Sequence, residues 1–507
     1  MQTLGWIFPR MRMGVFCLLA SLAIPLHGSA QGAEIPAGVL RQLQETPDKP
    51  VWLVLNDKAD LSPAQFLMTK RDKGRFVYET LKSTAQASQA PLRETLDRMG
   101  VSYRPYYIVN ALLAHVDLPT LQRLAIRDDI RKILPNPDLH LLHQPVAVMA
   151  EDEEEPSIEW NVEAVHAPEL WEAGYSGQGI VVGGADTGVD WTHPSLQGQY
   201  RGMHESSVDH NHNWFDALEG RPEPYDDNNH GTFTLGQMVG DDRNGNQIGV
   251  APGAQWIACK NMNALGIGSP ESYIGCFQWF LAPTDTAGDS AQPELAPHIV
   301  NNSWGCPSSE GCDEETLHDI INALQSAGII LIFSAGNSGP QCGTVEDPPA
   351  TYPEVISVGA TDMYNFLAPF SSRGPSSYDE GPKPSLSAPG VDVRSSIPGG
   401  SYTYMSGTSM ASPEVSGVIA LLWSANPALI GDIEGTRTLL ESSALFKVGP
   451  RCGIQPQDQA NNTYGHGLLD AEAAFQSMES IELTGFPPPD GHQIRVGRYG
   501  KGTRLSE

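Results

Sequence analysis

The feature that most constrains the fold is a series of unbroken apolar runs in the sequence from residue 160 onward. These runs do not alternate with polar residues, and segments with helical spacing separate them. A strand that is apolar on both faces must be buried on both, which is typical of a parallel sheet covered by helices. The pattern therefore predicts an α/β fold with a doubly wound, mostly parallel sheet and helices on both faces. The runs are "GIVVGGAD", "PHIVNNSW", "GIILIFSAGN" and "VISVGA".

One segment between these runs shows the helical spacing clearly. In "DEETLHDIINALQSAG", the apolar residues Leu317, Ile320, Ile321 and Leu324 recur at helical spacing, and Gly328 ends the segment. Functional side chains of such a fold collect in loops at the carboxyl ends of the strands. Reactive groups are therefore expected at the ends of the apolar runs.

A smaller unit precedes the sheet region. "VWLVL" (51–55) predicts a strand, residues 62–99 have helical spacing, and "YYIVNALLAHVD" predicts two short strands around Asn110. "LPTLQRLAIRDDIRKILPN" then predicts a capped helix and a closing strand. These elements predict a small α+β domain in front of the parallel sheet.

The N-terminus has the composition of a targeting segment. Arg10 and Arg12 flank the start of a short apolar stretch, and "GSA" ends at Ala30. The stretch is too short to cross a bilayer comfortably, so we expect a secretory signal and an exported protein, either secreted or periplasmic.

The acidic run "EDEEEP" predicts a solvated, cleavable linker. The predicted organisation is a signal peptide over 1–30, the small domain over 45–146, the linker over 147–159, the main domain over 160–480 and a tail over 481–507.

The charge balance excludes two classes of partner. The chain has 60 acidic and 31 basic residues, which gives a net charge of −29. This charge repels nucleic acid and anionic membranes, so neither is an expected partner. Solubility or adaptation to salt accounts for most of the acidity. A monomer is expected, although the sequence does not fix the oligomeric state.

Export also decides how the cysteines are interpreted. Cys17 lies in the predicted signal, and six cysteines remain in an oxidising compartment, where they allow 15 pairings. The short loop "CPSSEGC" predicts the pair Cys306–Cys312. The pairs Cys259–Cys276 and Cys342–Cys452 are a guess among the alternatives. Zinc is the competing interpretation, but neither a CxxC nor an HxxxH spacing supports it.

Four polar residues follow apolar runs or precede a predicted helix. Asp186 ends "GIVVGGAD", His230 begins "HGTFTLG", Asn337 follows "GIILIFSAG" and Ser409 lies in "GTSMASP". A serine nucleophile needs a base, and the base needs an anion that fixes its tautomer. Asp186, His230 and Ser409 supply these groups, and the amide of Asn337 is suited to stabilise an oxyanion. Taken singly, each residue has a structural explanation as a cap or a turn former, so the combination carries the interpretation.

These motifs resemble those of the subtilases, the subtilisin-like serine proteases. The matching stretches are "DTGVD", "HGTFTLG", "SAGNSGP" and "GTSMASP", and the order Asp, His, Ser is that of subtilisin. The connecting segments "QIGVAPGA", "FSSRGP", "SAPGVDV" and "YGHGLLDAEAA" also match. The resemblance covers residues 160–477 and looks closest to bacillopeptidase F-like members.

The resemblance implies peptide-bond hydrolysis through an acyl-enzyme and assigns roles to individual residues. Ser409 would be the nucleophile, His230 the general base and then acid, Asp186 its orienting partner, and Asn337 the oxyanion donor. Polypeptide substrates would pair along "NSWG" and near Ala335. The implied substrate-binding residues are Ser303, Trp304, Gly305, Ala335 and Gly336.

The resemblance also gives the small domain a function. It would be an inhibitory propeptide that assists folding and is then removed by cleavage between Leu139 and Glu155. The chemistry needs no cofactor. Calcium is the family's structural ion, and Asp241, Asp242 and Asn246 are possible ligands, but a solvated turn is the favoured interpretation of that loop.

Three residues depart from the family pattern. Phe233 and Glu414 replace histidines outside the triad, and Phe233 is interpreted as a packing variant. A buried Glu414 would be unfavourable unless it is protonated or hydrogen-bonded, and we adopt that hypothesis. Trp304 replaces a smaller residue and is predicted to narrow a substrate subsite.

Two other functions remain as alternatives. One is a catalytically silent subtilase-like binding module, against which the complete set of four residues argues. The other is a different serine hydrolase such as a lipase, but no GxSxG motif surrounds Ser409.

Overall fold

The structure is a computed structural model, and it describes most of the chain. The predicted signal peptide, most of the predicted linker and most of the predicted tail lie outside the described residues. The described ranges are 32–47, 49–141, 148–149, 157–205, 207–378, 381–449, 452–453 and 460–484.

A seven-stranded sheet forms the centre of the main domain, and every neighbouring pair of strands is parallel. This confirms the predicted doubly wound α/β fold. Leu331 and Phe333 pack in one core cluster, whereas Ile330 and Ile332 pack in another. Burial of both faces therefore explains why the runs lack polar residues. In sheet order, the strands are Trp214–Asp216, Gln255–Lys260, Val181–Asp186, Ile299–Asn302, Ile330–Ser334, Ile356–Thr361 and Leu386–Pro389.

Helices cover both faces of this sheet. The helix Pro270–Leu281 and the helix His318–Ser326 contribute to one core cluster. The helix His230–Val239, called here the histidine helix, and the helix Thr408–Ala425, called the serine helix, contribute to the other. The remaining α-helices of this domain are Trp160–Ala164, Ala167–Glu172, Pro194–Gln197, Ile433–Ser443 and Ala471–Thr484, and short 3₁₀ helices span Pro293–Leu295, Ser308–Glu310 and Pro427–Leu429.

Short strands lie around the central sheet. Two-stranded pairings join Met203–His204 with Ser207–Val208 and Asn246–Gln247 with Ser157–Ile158. A hairpin joins Val393–Ile397 with Ser401–Met405, and Val148–Met149 pairs with its second strand.

Residues 32–141 form the small domain, called here the N-terminal unit. Its antiparallel sheet has the strand order Tyr103–Tyr106, Ala111–Ala114, Val51–Leu55 and Ile130–Leu134. Thr69 and Asp117 cap two of its helices through their side chains. The unit starts before the predicted boundary at residue 45, because an additional short helix packs against it. Its helices are Ala37–Glu45, Ser62–Phe66 (a 3₁₀ helix), Lys70–Met99 and Leu118–Leu124.

The N-terminal unit docks on the two helices that cover one face of the central sheet. The backbone N–H of Tyr107 donates to Gln278 Oε1 at 2.8 Å, and the Tyr107 hydroxyl donates to Gln278 O at 3.1 Å. Ion pairs surround this contact: Lys58 with Asp319, Arg104 with Glu271, and Lys132 with Glu315. The end of the unit, Leu139–His140, pairs antiparallel with Ile267–Gly268.

Three disulfides confirm the predicted pairings. They join Cys259 to Cys276, Cys306 to Cys312, and Cys342 to Cys452, with Cα–Cα distances of 5.7, 5.5 and 5.1 Å. The predicted tail boundary at residue 481 falls inside the last helix, which continues to Thr484. Among the described residues, no helix has both the length and the apolar character needed to cross a bilayer.

Candidate active site

The central sheet and two helices bring the predicted reactive residues to one edge. Asp186 ends the strand Val181–Asp186, His230 begins the histidine helix, and Ser409 lies in the first turn of the serine helix. The two helices pack side by side, and Gln237 Nε2 donates to Met410 O at 2.8 Å. The carboxyl edge of the sheet therefore gathers an acid, a base and a hydroxyl, as expected for a doubly wound fold.

Asp186 and His230 form a buried pair. His230 Nδ1 lies 2.7 Å from Asp186 Oδ1, and their side chains are only 2% and 4% exposed. Asp186 Oδ1 also accepts from the Thr187 N–H at 2.7 Å, and its Oδ2 accepts from Thr234 Oγ1 at 3.2 Å. These bonds hold the carboxylate in place and put the ring proton of His230 on Nδ1. Nε2 of His230 has no hydrogen-bond partner among the described residues.

Close backbone approach explains two glycines of the matching motifs. A Cβ atom on Gly231 would lie 2.1 Å from the carbonyl oxygen of Gly188. Gly188 has a φ of +108°, and a Cβ atom there would lie 1.9 Å from Tyr225 O. Only glycine fits at these two contacts, which bring the loop after Asp186 against the start of the histidine helix.

Asp226 holds the same two segments together, and the sequence analysis missed it. Its Oδ1 accepts from Thr187 Oγ1 and from the backbone N–H of Asn229, and its Oδ2 accepts from the N–H and hydroxyl of Thr232. The bonds therefore join the aspartate loop to the first turn of the histidine helix. Its sequence position could have indicated this role, because Asp226 lies four residues before His230, and aspartate is favoured near the start of a helix.

Ser409 is 4% exposed, and its hydroxyl donates to Ser303 O at 3.4 Å. In this conformation the Ser409 hydroxyl makes no hydrogen bond to His230 within the described part of the chain. Ser303 fixes the start of the serine helix, because its Oγ bonds to Ser409 O at 3.1 Å and contacts Ser412 Oγ at 3.0 Å. The first turn places Ser409 near the positive end of the helix dipole, which favours a developing anion.

Asn337 is held in one orientation by the residue before Ser409. Its Oδ1 accepts from both the N–H and the hydroxyl of Thr408, each at 2.9 Å. The carbonyl branch of the amide is thereby fixed, and the donor atom Nδ2 lies on the other branch. Asn337 and Ser409 line the same pocket.

That pocket contains every substrate-binding residue predicted from the sequence. Its walls come from the segment after the strand Ile299–Asn302, the segment after the strand Ile330–Ser334, and a loop that the sequence analysis missed. The lining residues are Ser303, Trp304, Gly305, Ser334, Ala335, Gly336, Asn337, Asp347, Ala350 and Ser409.

Trp304 combines a place in this wall with a structural role. Its ring stacks on Tyr273 with a centroid distance of 3.9 Å, and its Nε1 donates to Ala185 O at 2.9 Å. The side chain is therefore anchored in the core cluster below the pocket. Its predicted narrowing of a substrate subsite stays a prediction.

Phe233 and Glu414, which stand where the family pattern has histidines, lie in distinct environments. Phe233 packs with Val393, Met405 and Met410, which confirms its interpretation as a packing variant. Glu414 is completely buried.

Glu414 Oε1 accepts hydrogen bonds from Asn161 Nδ2 and Gln237 Nε2, both at 2.8 Å. Burial raises the pKa of the Glu414 carboxyl to about 8, against the two hydrogen bonds, which lower it. The carboxyl is therefore mainly protonated at neutral pH. The two hydrogen bonds confirm the hypothesis that Glu414 is hydrogen-bonded or protonated, and the raised pKa is consistent with protonation.

The loop that contains the possible calcium ligands is stabilised by hydrogen bonds within its own turn. Asp242 accepts from the Asn244 and Asn246 N–H groups and from Asn246 Nδ2, and Asp241 Oδ1 accepts from the Arg243 N–H. No group of three or more His, Cys, Asp or Glu side chains within the described ranges is arranged to hold a metal ion. The hydrogen bonds of this loop suit the solvated turn, and a calcium site at Asp241, Asp242 and Asn246 stays a prediction.

Comparisons with known proteins agree with this fold. The sequence profile of the Subtilase family matches residues 177–467. Bacillopeptidase F of Bacillus subtilis (strain 168) is 40% identical over 435 residues, which cover 81% of this chain and 29% of that protein. Subtilisin Savinase of Lederbergia lenta is 32% identical over 323 residues, which cover 63% of this chain and 98% of that protein. Serine protease AprX of Bacillus subtilis (strain 168) is 33% identical over 338 residues, which cover 61% of this chain and 70% of that protein.

The fold and the site define a serine hydrolase with a doubly wound parallel sheet. The family match narrows this class, and the chain belongs to the subtilase family, the subtilisin-like serine proteases. The chain spans less than a third of Bacillopeptidase F, so what it cleaves is treated below as a proposal.

Proposed function

We propose that this protein is an exported serine endopeptidase, made as a zymogen, that hydrolyses polypeptides through an acyl-enzyme. The observation that carries the proposal is the buried Asp186–His230 pair, whose Nδ1 is bonded while Nε2 has no partner among the described residues. Such a histidine is ready to accept a proton at one defined atom.

The proposed reaction uses four residues. Rotation about the Cα–Cβ bond of Ser409 exchanges its long contact with Ser303 O for one with His230, and such contacts tighten when substrate binds. Ser409 Oγ then attacks the scissile carbonyl while His230 Nε2 takes its proton and later passes it to the leaving amine.

Asp186 stabilises the imidazolium that forms, and Asn337 Nδ2 donates to the oxyanion of the tetrahedral intermediate. Water then attacks the acyl-enzyme by the same route, with His230 again as the base, and releases the second product. No step requires a metal ion.

We propose that the N-terminal unit is the inhibitory propeptide. The docking contact between Tyr107 and Gln278 supports this proposal, and so does the pairing of Leu139–His140 with Ile267–Gly268. This pairing leads the chain along the main domain, and Leu141 N donates to Gly266 O at 2.7 Å. The predicted cleavage between Leu139 and Glu155 begins at this point.

Export is proposed on separate grounds. The N-terminal composition predicts a secretory signal over residues 1–30. Three disulfides are favoured in an oxidising compartment. Both features suit a secreted or periplasmic protein, and a monomer remains our expectation.

The test compares the parent chain with Ser409→Ala. The parent is expected to release its N-terminal unit and hydrolyse casein, and Ser409→Ala is expected to do neither. Ser424→Ala is the matched control, because Ser424 lies at the far end of the same helix, where its hydroxyl bonds to Leu421 O. Equal release by the parent and Ser409→Ala would refute self-maturation. A parent that never hydrolyses casein would favour a binding module.

A further inference from the structure

One acidic side chain lies in the wall of the pocket beside Ser409. Asp347 belongs to the loop that follows Asn337, and it lines the pocket together with Ala335 and Gly336. Among the described residues that line this pocket, Asp347 has the single ionisable side chain. The other lining residues are Ser303, Trp304, Gly305, Ser334, Asn337, Ala350 and Ser409, all of which are uncharged.

The carboxylate of Asp347 has no partner in the described part of the chain. Its backbone carbonyl accepts from the Ala350 N–H at 3.1 Å, and the influences on its carboxyl within the described residues are burial, Glu346 and Glu310, with no cation among them. The residue is half-buried. A partly desolvated carboxylate without a cation is unfavourable, and it is best compensated by a positive group that enters the pocket.

Neighbouring acids strengthen the negative potential at this position. Burial, and then the carboxylates of Glu346 and Glu310, raise the pKa of Asp347 to about 6. Glu346 is exposed, and Glu310 accepts from His140 of the N-terminal unit. At neutral pH Asp347 is therefore mainly ionised in a region that attracts cations.

We propose that Asp347 makes this pocket selective for lysine or arginine at the residue before the scissile bond. The side chain of that residue would enter the pocket while its carbonyl carbon lies at Ser409. Its ammonium or guanidinium group would then pair with the Asp347 carboxylate.

This inference rests on the proposed role of Ser409, but the two can fail separately. The predicted cleavage window between Leu139 and Glu155 contains no lysine or arginine. The N-terminal unit is positioned by its own docking contacts, so its release does not depend on the proposed selectivity. Release and casein hydrolysis therefore report on Ser409, and peptide selectivity reports on Asp347.

The experiment measures kcat/KM of the matured enzyme on peptides that differ at one position. The residue before the scissile bond is lysine, arginine, norleucine, phenylalanine or glutamate. Norleucine is the key comparison, because it has nearly the length of lysine without the charge. The parent should prefer lysine over norleucine by about 10- to 100-fold, the usual range for a hydrogen bond to a charged group.

The variants are Asp347→Asn and, as the matched control, Glu346→Gln. Asp347→Asn should lower the lysine-to-norleucine ratio of kcat/KM by about 10- to 100-fold, because it removes the charge and keeps the side-chain volume. Glu346→Gln removes the adjacent, exposed acid and should change that ratio by less than about threefold. A melting curve of Asp347→Asn shows whether the variant folds.

Two results would overturn the inference. One is a parent enzyme that cleaves norleucine peptides as well as lysine peptides. The other is a folded Asp347→Asn variant that keeps the parent's ratio. Loss of all peptide cleavage in the parent would instead refute the proposed function.

The ratio should also depend on pH. It should fall as pH drops through about 6, where Asp347 gains a proton. Because both peptides are cleaved by the same catalytic residues, effects of pH on the catalytic step cancel in the ratio. A ratio that stays constant between pH 5 and pH 8 would contradict the role of Asp347.

Discussion

Burial of the Glu414 carboxyl couples the stability of the protein to pH. The pKa of this group is raised from 4.5 to about 8 in the folded chain. Between these two values the folded state keeps a proton that the unfolded state has lost. The free energy of unfolding therefore falls as pH rises, by about 1.4 kcal/mol per pH unit.

Glutamine at this position removes the titration and keeps the acceptor. Its Oε1 can accept from Asn161 Nδ2 and Gln237 Nε2 as the carboxyl does. Glu414→Gln should be equal to the parent or less stable by about 1 kcal/mol at pH 5, because its Nε2 replaces an oxygen that has no partner among the described residues. At pH 9 the parent has lost up to roughly 4 to 5 kcal/mol relative to pH 4.5, so the variant should then be the more stable protein.

The assay is thermal unfolding by circular dichroism from pH 5 to pH 9, in a Ser409→Ala background that prevents self-digestion. Glu172→Gln is the control, because Glu172 is exposed and the substitution changes the net charge equally. The Tm difference between Glu414→Gln and its background should rise steadily from about pH 5 to pH 8 and then level off. A difference that does not change with pH would refute the reasoning, because the buried carboxyl would then not titrate in this range.

Three further substitutions test the site and its support. Glu414→Ala leaves the amides of Asn161 and Gln237 without their acceptor, so it should lower the free energy of unfolding by about 2 to 4 kcal/mol and keep the activity per folded molecule. Lost activity with unchanged melting would contradict this. Asn337→Ala should lower kcat by about 10²- to 10³-fold with little change in KM, the range known for the equivalent donor in subtilisin, and an effect confined to KM would argue against an oxyanion role. Trp304→Leu should widen the range of side chains accepted in peptide-library profiling. It should also lower the free energy of unfolding by about 2 to 4 kcal/mol, because the stacking on Tyr273 is lost. An unchanged cleavage profile would leave Trp304 with a structural role alone.

The fold was predictable because its signals are local. A strand buried on both faces has no polar alternation, so the runs that end at Asp186 and Ser334 indicate a parallel sheet without knowledge of their neighbours. The four predicted site residues lie in short motifs whose glycines permit close backbone contacts, such as the one between Gly231 and Gly188, and these motifs made them candidates.

Other features depend on contacts that no local pattern reveals. The partners of Glu414 lie 253 and 177 residues away in the sequence, at Asn161 and Gln237. Asp347 reaches the pocket only through the path of an irregular loop, which has no periodicity from which a position can be predicted. The early start of the N-terminal unit, at the helix Ala37–Glu45, likewise depends on its packing against the rest of the unit.

The ion pairs between the N-terminal unit and the main domain share one polarity. In each of these ion pairs within the described ranges, the basic side chain belongs to the N-terminal unit and the carboxylate belongs to the main domain. Lys58–Asp319 and Arg104–Glu271 are examples. The exposed fractions of these side chains range from 12% for Lys132 to 65% for Arg104, and dissolved ions weaken the attraction of the more exposed pairs. We therefore expect the salinity of the surroundings to set how long a cleaved N-terminal unit stays bound. A dilute compartment would keep the enzyme dormant, and a saline medium would shorten the delay before it becomes active.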